Sequence, residues 1–261
     1  MDALPLVGAT FCFLLSFGYT VLVLAGGRFR LGAANMVAMA GGFLLLSLSL
    51  WQRGRVEGSC PINSLFDVLV FMSWAIVLIS LLVGPPYRLS LMGAFTSPLV
   101  LSILLFAQLA PIGRSAAVRV VRDPYIEFHA SLSLIAYGAF ALAGIAGLMY
   151  LVQDRQLKRR KGGVLLFNLP PITDLGIANA RLLWLGFGLL TVSFAAGFLS
   201  GMPVNTLKFW TSAAIWGIYG AMLVLRKVHS LPPRRTAALS VGVFVFVLCT
   251  LPAIQHLSAP Q

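Results

Sequence analysis

The sequence carries little charge, and acidic residues are especially scarce. Only 10% of the 261 residues are charged, and seven acids stand against 19 lysines and arginines. Hydrophobic residues make up 59% of the chain, and the mean hydropathy is +0.93. A water-soluble protein has no use for so many apolar side chains, so the composition excludes a soluble globular domain and predicts a polytopic membrane protein.

Sequence signals for redox chemistry, for a cleaved leader and for nucleic-acid binding are absent as well. The three cysteines, Cys12, Cys60 and Cys249, show no CxxC or other metal-ligand spacing. The N-terminus has neither a basic region nor a small-residue cleavage site, so we expect its apolar run to be a retained helix. The net charge of +12 comes from short loops between apolar runs, where basic residues orient membrane helices, and we expect no nucleic-acid partner.

Eight apolar runs are long enough to cross a bilayer, which takes about 20 helical residues. We therefore predict an all-α protein with about eight transmembrane helices. The odd-numbered loops hold 13 of the lysines and arginines and the even-numbered loops hold the other six, which predicts that both termini lie outside the cytoplasm. The predicted spans are Leu4–Ala25, Ala33–Trp51, Leu65–Val83, Leu91–Ala110, Tyr125–Val152, Leu182–Met202, Phe209–Leu225 and Thr236–Leu257.

Acidic residues near the starts of spans three and five have the positions of helix caps. Ser64 and Asp67 have the spacing of a capping box, in which the carboxylate meets free N–H groups and the positive end of the helix dipole. Asp123 and Pro124 are typical of an N-cap followed by a first-turn proline, and an acid at Glu127 is favourable in the first turn. Neither Asp67 nor Glu127 needs a catalytic role.

Span five carries His129 one turn inside its polar end. The predicted orientation places His129 and His256 at the outer face of the membrane and His229 in a basic cytoplasmic loop. Two neutral imidazoles from different helices at one depth suit the iron of a haem, although a histidine near a membrane interface is also commonly just a hydrated residue. A helical step of 100° puts the following residues on one face of span five: His129, Ser133, Ala136, Tyr137, Phe140, Gly144 and Gly147.

Between spans five and six lie a dense basic run, QDRQLKRRKGG, and a proline-containing amphipathic segment. The basic run is typical of an anchor at an anionic leaflet. The segment that follows, VLLFNLPPITDLGIANAR, is expected to lie along the cytoplasmic surface before span six enters the bilayer. Pro170-Pro171 excludes one continuous helix through it.

Four stretches in this order resemble the membrane core of the cytochrome c assembly family, which includes CcsA-like, HemX-type and YpjD-type proteins. They are GSCPINSLFDVLVFMSW, EFHASLSLIAYGAF, LPPITDLGIANARLLWLGFGLLTVSFAAGF and LKFWTSAAIWGIYGAMLVLR. The resemblance covers residues 58–261, which hold six predicted helices, and residues 1–57 match only as two generic membrane helices. It implies a haem-binding protein of a bacterial-type inner or plasma membrane that acts in cytochrome c-type biogenesis by positioning haem. Because such a protein makes and breaks no bonds itself, we expect that it is not an enzyme.

The resemblance also implies the haem ligands. In CcsA-like members two outward-facing histidines flank a tryptophan-rich loop and hold haem for delivery, and His129 and His256 take the places of these histidines. Where the loop would lie, this chain has only SGMPVNTLKFW, and this departure favours a HemX-type or YpjD-type member. The haem propionates would need cations near the outer surface. The candidates are Arg53, Arg55, Arg114, Arg119, Arg122 and Lys208, and the sequence does not choose among them.

The expected partners besides the lipid bilayer are a second membrane protein of cytochrome c synthesis, as CcsA-like proteins have, or a protein of the haem pathway. The alternative function is a HemX-like regulatory or scaffolding protein that acts through its basic cytoplasmic loops without haem. A small-solute transporter is disfavoured, because no inverted repeat is evident and the acids Asp67 and Glu127 lie at helix starts instead of mid-membrane.

Overall fold

The structure is a computed structural model that describes residues 3–25, 33–83, 92–109, 123–158, 171–201, 207–228 and 230–257. These residues form eight α-helices and no β-strand: α1 (Ala3–Ala25), α2 (Ala33–Glu57), α3 (Leu65–Val83), α4 (Met92–Leu109), α5 (Pro124–Lys158), α6 (Ile172–Leu199), α7 (Leu207–Val228) and α8 (Pro233–Leu257). In this described part, five helices are long and apolar enough to cross a membrane, namely α1, α2, α3, α5 and α6. The all-α, polytopic membrane fold is confirmed, and the location of the termini stays a prediction.

Helix boundaries follow the apolar runs at some ends and pass beyond them at others. α3 begins and ends at the predicted residues, whereas α2 continues to Glu57 and α5 to Lys158. The added turns are rich in Gln, Arg and Lys, which are good helix formers in water. A count of apolar residues therefore finds the membrane crossing but not the solvated end of the helix.

The start of α6 differs from the prediction. Residues 172–181, expected in a separate surface segment, belong to the same continuous helix as span six. Pro171 lies directly before this helix, and its carbonyl accepts a hydrogen bond from the Asp174 N–H at 2.9 Å. A proline just outside the first turn removes no helical hydrogen bond, so the proline pair determines where α6 begins instead of interrupting it. The helix that contains span six therefore begins ten residues before the predicted Leu182, and the location of residues 172–181 along the cytoplasmic surface stays a prediction.

The chain divides into two compact units. Unit 1 consists of residues 1–121 and 152–174, and unit 2 consists of residues 122–151 and 175–261. The domain boundary predicted from the sequence lies between residues 57 and 58 and does not correspond to the boundary between these units. It separates two generic membrane helices from the family-like core, and it stays a prediction.

Side-chain hydrogen bonds join neighbouring helices of unit 1 in a ring. They connect Ser16 with Asn35 between α1 and α2, Trp74 with Ser47 at 2.8 Å between α2 and α3, Ser80 with Thr96 at 3.5 Å between α3 and α4, and Gln108 with Thr10 at 2.7 Å between α4 and α1. Such a bond inside a membrane protein contributes about 0.6 kcal/mol. The four bonds therefore specify which helices are neighbours more than they stabilise the bundle.

The joint between α2 and α3 in unit 1 holds a buried ion pair. Arg53 Nη2 lies 2.7 Å from Asp67 Oδ1, and its guanidinium lies over the Phe66 ring at 5.1 Å from the centroid. Asp67 also forms the predicted capping box: the Ser64 N–H and hydroxyl donate to Asp67 Oδ2 at 3.1 and 2.6 Å, and the Asp67 N–H donates to Ser64 Oγ at 3.2 Å. The capping role of Asp67 is confirmed. Its carboxylate is compensated by the guanidinium as well, which a charge buried to this extent requires.

The packing of α5 in unit 2 depends on its small residues. A Cβ added to Gly147 would lie 2.8 Å from the Ala237 carbonyl oxygen and 2.8 Å from Ser240 Oγ, both on α8. Nearby, the buried Asn179 of α6 donates to the Ala143 carbonyl at 2.7 Å and to Ser240 Oγ at 2.8 Å. The close approach of the α5 and α8 backbones at Gly147 and the two hydrogen bonds of the Asn179 amide together hold α5, α6 and α8 in register.

Candidate functional site

The N-terminus of α5 is capped as predicted. Asp123 Oδ1 accepts a hydrogen bond from the Tyr125 N–H at 2.9 Å, and the Asp123 carbonyl accepts from the N–H groups of Ile126 and Glu127 at 2.9 and 3.2 Å. Pro124 is the first helical residue. This cap fixes the helical phase from the first residue, so His129 lies on the second turn, on the face that packs inside unit 2.

The hydrogen bond of the His129 ring identifies its tautomer. Nδ1 lies 2.6 Å from the Ser193 carbonyl oxygen on α6. A carbonyl oxygen only accepts hydrogen bonds, so Nδ1 must carry the proton. In a neutral imidazole the other nitrogen, Nε2, then keeps its lone pair available for a metal ion. The His129 side chain is half-buried.

Two serines hold His129 in this position. The Ser193 hydroxyl donates to the His129 carbonyl at 2.8 Å, so it must accept from the Ser133 hydroxyl, which lies 2.6 Å away. The same Ser193 hydroxyl lies 3.1 Å from Nδ1, and Ser193 is fully buried. Partners of this kind fix the tautomer and the ring orientation of metal-binding histidines and change metal affinity about 10- to 100-fold when removed.

Further along the same face of α5, aromatic rings replace the polar contacts. The Phe140 ring stacks on Tyr219 of α7 with 3.6 Å between ring centroids. On α6, Gly186 leaves room for it, because an added Cβ would lie 2.6 Å from the Phe140 ring. The predicted face of α5 is therefore a packing face over most of its length, with the histidine at its polar end.

In the part of the chain that the structure describes, none of the other predicted site residues lies beside His129. His256 lies in the last turn of α8, but its side chain is outside the part of the chain that the structure describes, and its role stays a prediction. Arg53 is paired with Asp67, and Arg55 lies over the Trp51 ring at 4.9 Å from the centroid. The remaining propionate candidates lie outside the described residues or have undescribed side chains: Arg114, Arg119, Arg122 and Lys208.

Sequence reasoning missed Ser193 and the ion pair of Arg53 with Asp67. Ser193 lies 64 residues from His129, inside the apolar run TVSFAAGF, and a single serine in such a run is an ordinary packing residue. Arg53 was predicted as a loop cation and a candidate partner of the haem propionates. Its pairing with Asp67 joins two helices, and no local spacing rule predicts a contact of that kind.

These features define a class: a polytopic all-α membrane protein with one orientationally fixed histidine at the capped end of a membrane helix. The chain belongs to the cytochrome c assembly protein family, whose match covers residues 62–253 and so well over half of the 261 residues.

Similar proteins are named either HemX or CcsA. The protein HemX of Brevibacillus brevis is 30% identical over 155 residues, which are 59% of this chain and 57% of that relative. The cytochrome c biogenesis protein CcsA of Prochlorococcus marinus (strain MIT 9301) is 26% identical over 238 residues, or 80% of this chain and 77% of the relative. The protein HemX of Bacillus subtilis is 22% identical over 212 residues, or 78% and 75%. The chain thus spans little more than half of the first relative and about three quarters of the other two.

Proposed function

We propose that this chain is a haem-handling membrane protein of cytochrome c biogenesis that holds haem through His129. The single observation that carries the proposal is the hydrogen bond from His129 Nδ1 to the Ser193 carbonyl. It selects the tautomer in which Nε2 can bind iron, and the serine contacts limit rotation of the ring. Membership of the cytochrome c assembly family and the CcsA-named relatives supply the biological context.

In this proposal haem is cargo, and the residues of this chain only hold and orient it. His129 supplies Nε2 to the iron, His256 is the expected second ligand, and the serine network holds the first imidazole in a fixed orientation. No residue forms or breaks a bond to the porphyrin. Delivery requires a recipient, so we also propose a second membrane protein of cytochrome c synthesis as partner, in a bacterial-type plasma membrane.

The proposal predicts that the purified full-length protein takes up haem. Titration of haem into the protein in detergent should give a saturable Soret absorbance band, because a histidine-ligated porphyrin in an apolar site differs spectrally from free haem. Bovine serum albumin and empty detergent micelles serve as references for nonspecific uptake. Uptake no stronger than that of empty micelles would contradict the proposal.

A second candidate function is a HemX-like regulatory or scaffolding role. The 30% identity to a protein named HemX favours it, as does the sequence SGMPVNTLKFW in place of a tryptophan-rich loop. In that role the basic cytoplasmic loops would contact a soluble partner and haem would be irrelevant. The haem titration separates the two, since only the first function requires saturable uptake.

A further inference from the structure

We infer that the end of unit 2 where α7 stops and α8 starts binds the phosphate of an anionic phospholipid headgroup. Two buried polar atoms at this end lack a hydrogen-bond partner among the described residues, Arg226 Nη1 and Thr236 Oγ1. Thr236 is only 1% exposed. A buried donor without a partner is destabilising, so a bound group that accepts from both atoms would stabilise this end of the unit.

Arg226 and Thr236 lie on either side of the connection between α7 and α8. Arg226 lies in the last turn of α7, Thr236 lies one turn into α8, and the two helices pack together. A helical side chain leans toward the N-terminus of its helix, so the Thr236 hydroxyl lies over the first turn of α8. There the positive end of the helix dipole also favours an anion.

Charge at this end of unit 2 points to an anion as well. The first turn of α8 contains Arg234 and Arg235 and no acid, although cations are unfavourable at a helix N-terminus. The sequence has no Asp or Glu between residues 175 and 261. The acids of unit 2 are Asp123 and Glu127, at the start of α5. Gly147, which packs on α8 near its first turn, lies about 30 Å along α5 from Glu127.

A lipid headgroup fits this combination better than a soluble anion. The predicted span Phe209–Leu225 ends directly before Arg226 and Lys227, and basic residues at the end of a span are expected at the level of the phospholipid headgroups. Each lysine or arginine near an anionic membrane surface adds to the attraction between the protein and that surface. A phosphate there would meet Nη1 of Arg226 and the Thr236 hydroxyl while the acyl chains of the lipid stay in the bilayer. The inference does not depend on haem binding.

Native mass spectrometry of the full-length protein with added phosphatidylglycerol or phosphatidylcholine tests the inference. The protein should bind phosphatidylglycerol more tightly, and Arg226→Gln should weaken that binding about fivefold, equivalent to about 1 kcal/mol. Thr236→Val, which changes no charge, should weaken it several-fold, and Thr236→Ser should restore it. Arg181→Gln is the matched control, because Arg181 is an exposed cation on α6 in the same unit and outside the basic run, and it should change binding less than twofold.

Four results would overturn the inference. They are equal binding of the two lipids, equal losses for Arg226→Gln and Arg181→Gln, undiminished binding by Thr236→Val, and complete displacement of the lipid by millimolar inorganic phosphate. The second and third results would indicate diffuse surface charge, and the fourth would indicate a soluble phosphate compound as the ligand. Thermal unfolding of each variant in detergent establishes that it is folded before its lipid binding is compared.

Discussion

Replacing His129 with alanine is expected to lower the affinity of the purified protein for haem by at least about tenfold, because removing even a supporting partner of a metal-binding histidine costs that much. The loss should be specific to the ligand. The helix cap formed by Asp123 does not involve the imidazole, so α5 should still form at the same residues. Haem titration followed by Soret absorbance measures the change.

His229→Ala is the matched control for this prediction. The sequence contains three histidines, and charge patterning places His229 in a basic cytoplasmic loop, whereas His129 and His256 are predicted at the outer face. Haem affinity should therefore be unchanged in His229→Ala and lowered in both His129→Ala and His256→Ala. Wild-type affinity in His129→Ala would remove this residue from the site, even if the protein binds haem elsewhere.

Replacing Gly147 with alanine is expected to destabilise the protein by about 1–3 kcal/mol, the usual cost of overpacking a close-packed contact. The added Cβ would lie 2.8 Å from the Ala237 carbonyl oxygen, which belongs to the backbone of α8 and cannot rotate away. It would also meet Ser240 Oγ at 2.8 Å, the atom that accepts from Asn179. α5 and α8 must separate, and the Asn179 hydrogen bonds should weaken with them. The midpoint of thermal unfolding in detergent, followed by circular dichroism, measures the effect.

Gly242→Ala is the control for the packing prediction. Gly242 lies on α8, and a Cβ added there would have no atom within 4 Å. Since alanine favours a helix over glycine by about 1 kcal/mol, this variant should unfold at the same temperature as the wild type or slightly above it. If Gly147→Ala were as stable as Gly242→Ala, the close approach of α5 and α8 would not exist in the folded protein.

The fold was predictable because the bilayer imposes simple rules. Long apolar runs located all eight helices, and capping chemistry located the starts of α3 and α5 through Asp67 and Asp123. The start of α6 was not predictable in the same way. Pro171 is compatible with ending one segment or beginning the next helix, and hydropathy alone does not distinguish these cases.

The candidate site was predictable only in part, because half of it depends on contacts between distant residues. Helical phase placed His129 and Ser133 on one face of α5. The proton on Nδ1 depends on the carbonyl of Ser193, and every residue carries a carbonyl, so no residue type in the sequence signals it. The ion pair between Arg53 and Asp67 was not predictable for the same reason. The sequence shows that both residues are charged, but their contact arises from the packing of α2 against α3.

The central claim is that Nε2 of His129 binds haem iron, and pulsed electron paramagnetic resonance tests it directly. In the double variant His229→Ala/His256→Ala, His129 is the one histidine that remains of the three in the sequence. If this variant is labelled with ¹⁵N-histidine and loaded with ferric haem, we predict a ¹⁵N hyperfine coupling to the iron. Bound haem that shows no such coupling would contradict the claim.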